Sequence, residues 1–312
     1  MQSVSYVMVC CALLVTIMSN PSLAAPATQP SEDFKKLESA TITVGDIRTR
    51  VDGPKMWTMS GIDYQGTVMA VEDSAYGTVL TLPGEHQHLG TAHFLNVPGK
   101  PGEVEKENVI DLKFFIDDKP VTDFSPKMNL SGKSFRMERK SNIRAMHLES
   151  SVDVRDGVLV ETAHLKTAEP IPLKMSYPLM YAWTPKATKY LFGDDNAIQK
   201  RGDFLGDDAK PVEGREKSRW MAIFEPASGK GAVCYLTQHP SSDETFLQYT
   251  DAPKIYRKLR IMSFVETVVP AGFDGTFQSI IGFFNANETN WEAKAQQCVT
   301  DLKSRAAELE KQ

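Results

Sequence analysis

The sequence lacks an excess of basic residues. Its 312 residues include 35 Lys and Arg against 40 Asp and Glu, which gives a formal net charge of −5. Proteins that bind a phosphate backbone rely on Lys and Arg, so no nucleic-acid partner is expected. Charged residues make up 24% and hydrophobic residues 41% of the chain, which is ordinary globular composition and excludes wholesale disorder.

Long hydrophobic runs are also missing beyond the first thirty residues, so we predict no membrane span. Near the start, Val7 to Met18 form a short apolar run, and Ser22-Leu23-Ala24 is a small-x-small site. This pattern predicts a signal peptide over residues 1–24, although no basic residue precedes Lys35. The mature chain is therefore expected to be exported and to be periplasmic or secreted.

Cysteine is scarce, with four in the chain and two after the predicted cleavage. Cys234 lies in a strand-like run and Cys298 in a helical one. A disulfide in an oxidising compartment and two buried thiols are both compatible with this placement. The spacing does not match a cysteine metal site.

Regular alternation of strand and helix patterns is absent, which excludes a doubly wound nucleotide-binding fold, and no cofactor is predicted. Residues 25–39 are predicted to be a linker. From residue 40 onward, β-branched and aromatic residues alternate with polar ones between turn dipeptides. We predict a mainly β protein with one β-sandwich domain over residues 40–312. The polar stretch 193–218 is interpreted either as a lid or rim loop or as a surface insertion.

The C-terminus changes period. Trp291, Ala295, Cys298 and Leu302 recur at steps of three and four residues, which predicts an amphipathic helix over residues 289–312. Docking of its apolar stripe on the sheet is favoured over a partner interaction.

The segment 141–167 is predicted to form a hairpin around a type I′ turn at Asp156-Gly157. The register places Glu149 opposite His164 and His147 opposite Lys166, all on one face. An imidazole paired with a carboxylate can exchange a proton near neutral pH, so this face is a candidate acid/base patch. An ordinary solvated face of an antiparallel sheet is the alternative.

Three histidines, His86, His88 and His93, lie within eight residues. An H-x-H pair on a strand could supply metal ligands, as in a cupin. The expected Glu near His93 is missing, and so is the His of the second cupin motif, so no metal is predicted. A sugar-contacting loop is preferred. Trp183 and Tyr181 could add aromatic faces for a sugar ring, or they could belong to the core.

Four segments together resemble secreted bacterial proteins of the galactose-mutarotase-like class: residues 74–78, 90–93, 161–164 and 181–185. The resemblance extends over about residues 40–285. It implies a large antiparallel β-supersandwich with a concave sugar-binding sheet, on which His93, His147 and His164 would act with acidic residues.

We therefore predict an exported protein that binds or processes a poly- or oligosaccharide by lyase- or epimerase-type acid/base chemistry, with a hydrolase also considered. His164, oriented by Glu149, is the predicted base, and His93 or Tyr181 the acid. The predicted substrate-binding residues are His86, His88, His147, Lys166 and Trp183. The alternatives are a non-catalytic sugar-binding or cell-envelope protein and, less favoured, a cupin-like metal enzyme.

Overall fold

Alternating apolar and polar residues fold into strands along most of the chain. The computed structural model describes residues 32–72, 74–84, 88–90, 107–240 and 245–309, and these form 23 strands and one α-helix, α1 (Trp291–Leu309). The strands, in chain order, are β1 (Ser39–Val44), β2 (Ile47–Asp52), β3 (Thr58–Tyr64), β4 (Thr67–Ala70), β5 (Val79–Thr81), β6 (Leu89–Gly90), β7 (Asn108–Ile116), β8 (Lys119–Pro120), β9 (Lys127–Gly132), β10 (Ser134–Ile143), β11 (Met146–Arg155), β12 (Val158–Lys166), β13 (Ile171–Leu173), β14 (Met175–Trp183), β15 (Lys189–Gly193), β16 (Ile198–Asp203), β17 (Val212–Glu216), β18 (Trp220–Glu225), β19 (Lys230–Gln238), β20 (Phe246–Ala252), β21 (Tyr256–Ser263), β22 (Thr267–Val269) and β23 (Asp274–Asn285).

Most strands belong to two large sheets. The first sheet has 11 strands in the order β17-β20-β21-β14-β4-β3-β2-β1-β9, with β5 paired to β14 and β6 to β5. The second sheet has 10 strands in the order β16-β15-β18-β19-β23-β12-β11-β10-β7-β8. A small sheet pairs β13 with β22. Pairing is antiparallel apart from β1 with β9. The prediction of a mainly β fold with large antiparallel sheets and a C-terminal helix is confirmed.

The core lies between the two large sheets. Leu259 and Ile261 of the first sheet and Leu159 and Leu165 of the second belong to one buried apolar cluster. Because side chains alternate along a strand, the residues between them point away from the core. Each sheet thus has an inner face against the other sheet and an outer face.

Helix α1 covers part of the outer face of the second sheet. Trp291 stacks on Phe224 with ring centroids 5.4 Å apart, and Leu302 joins the same buried cluster as Val160 and Ile280. The helix begins two residues later than predicted. None of the helices in the described part of the chain is both long and apolar enough to cross a membrane.

The hairpin turn has the predicted geometry. Asp156 and Gly157 both have positive φ, 50° and 77°, as a type I′ turn requires. Strands β11 and β12 therefore pair in the predicted register, with Glu149 opposite His164 and His147 opposite Lys166.

Two boundaries differ from the prediction. The stretch 193–218 forms β16 and β17, which are edge strands of different sheets, so a single lid or surface loop is wrong. Within the predicted linker, Glu32–Lys36 form a short 3-10 turn, and Phe34 and Leu37 are buried. The predicted signal peptide, and the linker up to residue 31, lie outside the described residues.

Candidate functional site

The predicted acid/base patch lies on the outer face of the second sheet, but its pairing differs. His164 Nε2 is 2.5 Å from Asp274 Oδ1, whereas Glu149 Oε1 lies 3.5 Å from Lys140 Nζ. Lys140 is directly opposite Glu149 on β10, and β23 brings Asp274 to the other side of His164. The predicted orientation of His164 by Glu149 is therefore wrong. A catalytic part for either residue stays a prediction.

The rest of this patch is open to solvent. His147 Nδ1 is 2.6 Å from Asn142 Oδ1, and Lys166 Nζ is 3.9 Å from Asp274 Oδ2. The side chains of Glu149 and Asp274 are 51% and 62% exposed. The hydrogen bond from His164 lowers the pKa of Asp274. These contacts are compatible with the solvated sheet face that the sequence left as an alternative.

Tyr181 and Trp183 lie elsewhere. Both are inner-face residues of β14, at most 1% exposed, with their rings stacked 5.4 Å apart. The Tyr181 hydroxyl is 2.7 Å from Glu161 Oε2, an inner-face atom of β12, while His164 on the same strand points outward. The second sheet thus separates Tyr181 and Trp183 from His164. The expectation that Tyr181, Trp183 and His164 share one sugar cleft is wrong, because the two aromatic side chains are buried in the hydrophobic core.

Of the histidine-rich turn, His88 is described, while His86 and His93 lie outside the described residues. His88 Nδ1 is 2.8 Å from Thr81 Oγ1. Burial lowers the pKa of His88, and so do the positive charges of Lys258, Arg260 and Lys174. His88 therefore lies near a group of basic side chains, of which Lys258 and Arg260 lie on β21 of the first sheet.

These side chains define what we call the cationic face: the outer face of β17, β20, β21 and β14. Lys258 and Arg260 alternate on β21 with Leu259 and Ile261, which point into the core. Lys258 is 2% and Arg260 9% exposed. Charged side chains are rarely buried unless they are paired or functional, so this face is the strongest candidate site in the described part of the chain.

An aromatic ring lies against both cations. Lys258 Nζ is 4.8 Å and Arg260 Cζ 5.9 Å from the ring centroid of Tyr177 on β14. Cation–π contacts of this kind are strongest where water is excluded, which is the case here. Burial raises the pKa of Tyr177, and it raises the pKa of Tyr256 to about 12.

A hydrogen-bonded network runs from Arg260 to the sheet edge. Arg260 Nη2 donates to Glu213 Oε1 and to Thr250 Oγ1, both at 2.6 Å, and Gln248 Nε2 donates to Glu213 Oε2 at 3.3 Å. Burial alone would raise the pKa of Glu213, but the hydrogen bond and charge of Arg260 lower it overall. Arg260 Nε is buried and has no hydrogen-bond partner among the described residues.

The amine of Lys258 is electrostatically disfavoured as a cation. Burial lowers its pKa well below 10.5, the neighbouring Arg260 adds to this effect, and Glu213 opposes it. A buried lysine beside a guanidinium therefore releases its proton more readily than a surface lysine.

Comparisons with known proteins give structural similarity at low identity. No protein-family model matches the chain, and no curated protein matches it. Among solved structures, a galactose mutarotase-like protein from Clostridium acetobutylicum is 8% identical, with a TM-score of 0.45 over 78% of this chain and 94% of that one. A galactose mutarotase related enzyme from Lactobacillus acidophilus is 10% identical, with a TM-score of 0.43 over 80% and 98%.

A third similar structure is the galactosidase domain of an α-galactosidase-sucrose kinase. It is 7% identical, with a TM-score of 0.47, and 79% of this chain spans 40% of its length. At these identities and TM-scores, the similarities assign neither a family nor an activity to this chain.

The cationic face was missed at the level of sequence. Tyr256-Arg257-Lys258-Leu259-Arg260 has basic residues at three of its five positions, and nothing in the local sequence shows that they are buried. Glu213, on β17, lies in the stretch interpreted as a loop. The available signal was a pair of basic residues two positions apart beside a tyrosine, and it is a weak one. In the described part of the chain, no three His, Cys, Asp or Glu side chains are grouped as metal ligands.

Proposed function

We propose that this chain is an exported protein that binds a poly- or oligosaccharide on the cationic face. The observation that carries the proposal is the network of Arg260, Glu213, Thr250 and Gln248, which runs from a buried guanidinium to a carboxylate that is 56% exposed. A saccharide presents adjacent hydroxyls that both donate and accept hydrogen bonds. The network offers donors and acceptors that match these hydroxyls. Its guanidinium, carboxylate, hydroxyl and carboxamide groups are held in place by their hydrogen bonds to one another.

The geometry supports this face over the hairpin patch. Site residues that are oriented by their neighbours lose less conformational entropy on binding than freely exposed side chains. Arg260 and Gln248 are buried and hydrogen-bonded, whereas Glu149 and Asp274 of the hairpin patch are more than half exposed.

Proton transfer on the bound saccharide is a second candidate function. The lowered pKa values of Lys258 and His88 favour it, because a neutral amine or imidazole can accept a proton from a sugar carbon in lyase- or epimerase-type chemistry. Turnover of a bound saccharide, followed by reducing-end or ultraviolet assays, separates this candidate from a non-catalytic binding protein.

A glycan array tests the binding proposal. We expect saccharide binding by the wild type to be lost in Arg260→Met and weakened in Glu213→Gln. Arg136→Met is the matched control, because Arg136 makes a similar contact to the Phe115 ring, 4.4 Å away, on the second sheet. Circular dichroism and thermal melting establish that each variant is folded.

His164→Ala tests the competing patch in the same array. If His164→Ala abolishes binding while Arg260→Met and Glu213→Gln retain it, the hairpin patch is the site and our proposal is wrong. Retention of wild-type binding in all three variants would also contradict it.

A further inference from the structure

We propose that the saccharide carries a carboxylate and that Arg260 and Lys258 together hold this charged group. This inference rests on the proposed function and specifies the chemical class of its ligand.

The first argument is the hydrogen-bonding capacity of Arg260. Its bonds to Glu213 and Thr250 both use Nη2, while Nε is buried without a hydrogen-bond partner among the described residues. A buried donor that lacks a partner costs free energy, and a ligand oxygen would remove that cost. Hydrogen bonds between two ionised groups are about twice as strong as neutral ones, so a carboxylate oxygen is the acceptor that suits the free Nε–H best.

The second argument is the placement of positive charge. Lys258, Arg260 and Lys174 all act electrostatically on His88, and the first two lie over one face of the sheet beside the Tyr177 ring. Glu213 raises the pKa of Lys258 and is itself hydrogen-bonded to Arg260, while Arg260 lowers the pKa of Lys258. A neutral sugar would leave the repulsion between the two cations unchanged, whereas an anionic one would offset it.

A carboxylate ligand has a measurable consequence for Lys258. The amine of Lys258 is faced by polar and charged groups from each neighbouring element. These are Arg260 and Tyr256 on its own strand, Thr250 on β20, Glu213 on β17, Tyr177 on β14 and the nearby His88. Burial and Arg260 disfavour its ammonium form in the free protein, and an incoming negative charge favours it. Ligand binding should therefore be linked to proton uptake.

Isothermal titration calorimetry on the full folded protein tests the ligand class. The probes are oligomers of galacturonate, glucuronate and mannuronate, their uncharged methyl esters, and the corresponding neutral galacto-, gluco- and manno-oligosaccharides. We expect at least one acidic oligomer to bind at least about tenfold more tightly than its methyl ester. This preference should disappear in Arg260→Met and persist in Arg136→Met.

The outcomes separate the two proposals. If neutral oligomers or esters bind as tightly as the acids, and Glu213→Gln weakens them, the carboxylate inference is wrong and the proposed function stands. If no oligosaccharide of either kind binds, both are wrong.

Proton uptake is measured by repeating the titration in phosphate and Tris buffers, whose ionisation enthalpies differ. We expect a buffer-dependent enthalpy for the wild type and for Arg136→Met. Lys258→Arg should retain the acidic ligand without uptake, because arginine stays charged throughout. Uptake that persists in Lys258→Arg would contradict the part assigned to Lys258.

Discussion

The Tyr181 hydroxyl donates a hydrogen bond to Glu161 Oε2 at 2.7 Å, which joins the two large sheets through the middle of the core. Since that hydroxyl has one proton, the Ser279 hydroxyl, also 2.7 Å away, donates to Tyr181 in turn. Burial raises the pKa of Glu161 to about 7, and the bond from Tyr181 and the charge of Arg139 limit the rise. A carboxylic acid thus titrates inside the sandwich.

Glu161 should make stability depend on pH. Its pKa is about 7 in the folded chain against 4.5 as the ordinary value, so the folded state binds more protons between these pH values. We expect the free energy of unfolding of the wild type, relative to Glu161→Gln, to fall by about 3 kcal/mol as the pH rises through this window. Denaturant titrations from pH 4 to pH 8 measure it. Tyr181→Phe should extend the fall in stability to higher pH, because the hydrogen bond from Tyr181 lowers the pKa of Glu161. Parallel curves of unfolding free energy against pH for the wild type and Glu161→Gln would refute the prediction.

The ion pair of Glu107 and Arg139 should be sensitive to removal of one partner. Arg139 Nη1 is 3.1 Å from Glu107 Oε2, and both side chains are almost fully buried. Arg139→Met should destabilise the fold by about 3–5 kcal/mol, because it removes the guanidinium that is paired with a buried carboxylate. In a double-mutant cycle, Glu107→Gln with Arg139→Met should cost less than the two single variants summed. Additive costs would argue against a coupled pair. Lys36→Met, at the exposed pair with Asp33, is the control and should have a much smaller effect.

Cys234 and Cys298 should not form a disulfide with each other. Cys234 belongs to the core between the sheets, whereas Cys298 on α1 packs against the outer face of the second sheet. Both thiols are free and buried, and burial raises the pKa of Cys298 to about 12. We expect a thiol reagent to label both residues rapidly in denaturant and neither in the folded protein. Detection of a peptide linking them under non-reducing mass spectrometry would overturn this.

Docking of α1 should contribute strongly to stability. The Trp291 ring stacks on Phe224 and is 6% exposed. Trp291→Ala should lower the free energy of unfolding by about 3–5 kcal/mol, since it removes a large buried side chain. Glu308→Ala on the exposed side of the helix is the matched control. Equal midpoints for the two variants in chemical denaturation would show that the helix is only loosely attached.

Local patterns predicted much of the fold. The type I′ turn at Asp156-Gly157 alone set the register of β11 and β12, because a two-residue turn is compatible with only one pairing of the two strands. The three- and four-residue repeat around Ala295 and Leu302 predicted α1 and its buried stripe. The stretch 193–218 failed for another reason. β16 and β17 are polar edge strands, so they lack the apolar alternation of a buried strand, and β17 pairs with β20, which is distant in sequence.

The candidate site depends on side-chain contacts between strands, and the sequence does not predict which of several possible partners each side chain takes. The register places Glu149 opposite His164, but each residue also has a competing partner on the strand at its other side. His164 contacts Asp274, and Glu149 contacts Lys140. Tyr181 and Trp183 were named as sugar contacts, yet the sandwich buries both.

The sequence by itself determined the strand content, the hairpin and the C-terminal helix, because periodicity and turn chemistry act over a few residues. Only the tertiary structure decided which side chains meet. Lys258, Tyr177, Thr250 and Glu213 come from four strands, and antiparallel pairing across the first sheet assembles them around Arg260. Burial then changes their proton affinities, because removal from water and the nearness of other charges are properties of the assembled sheet.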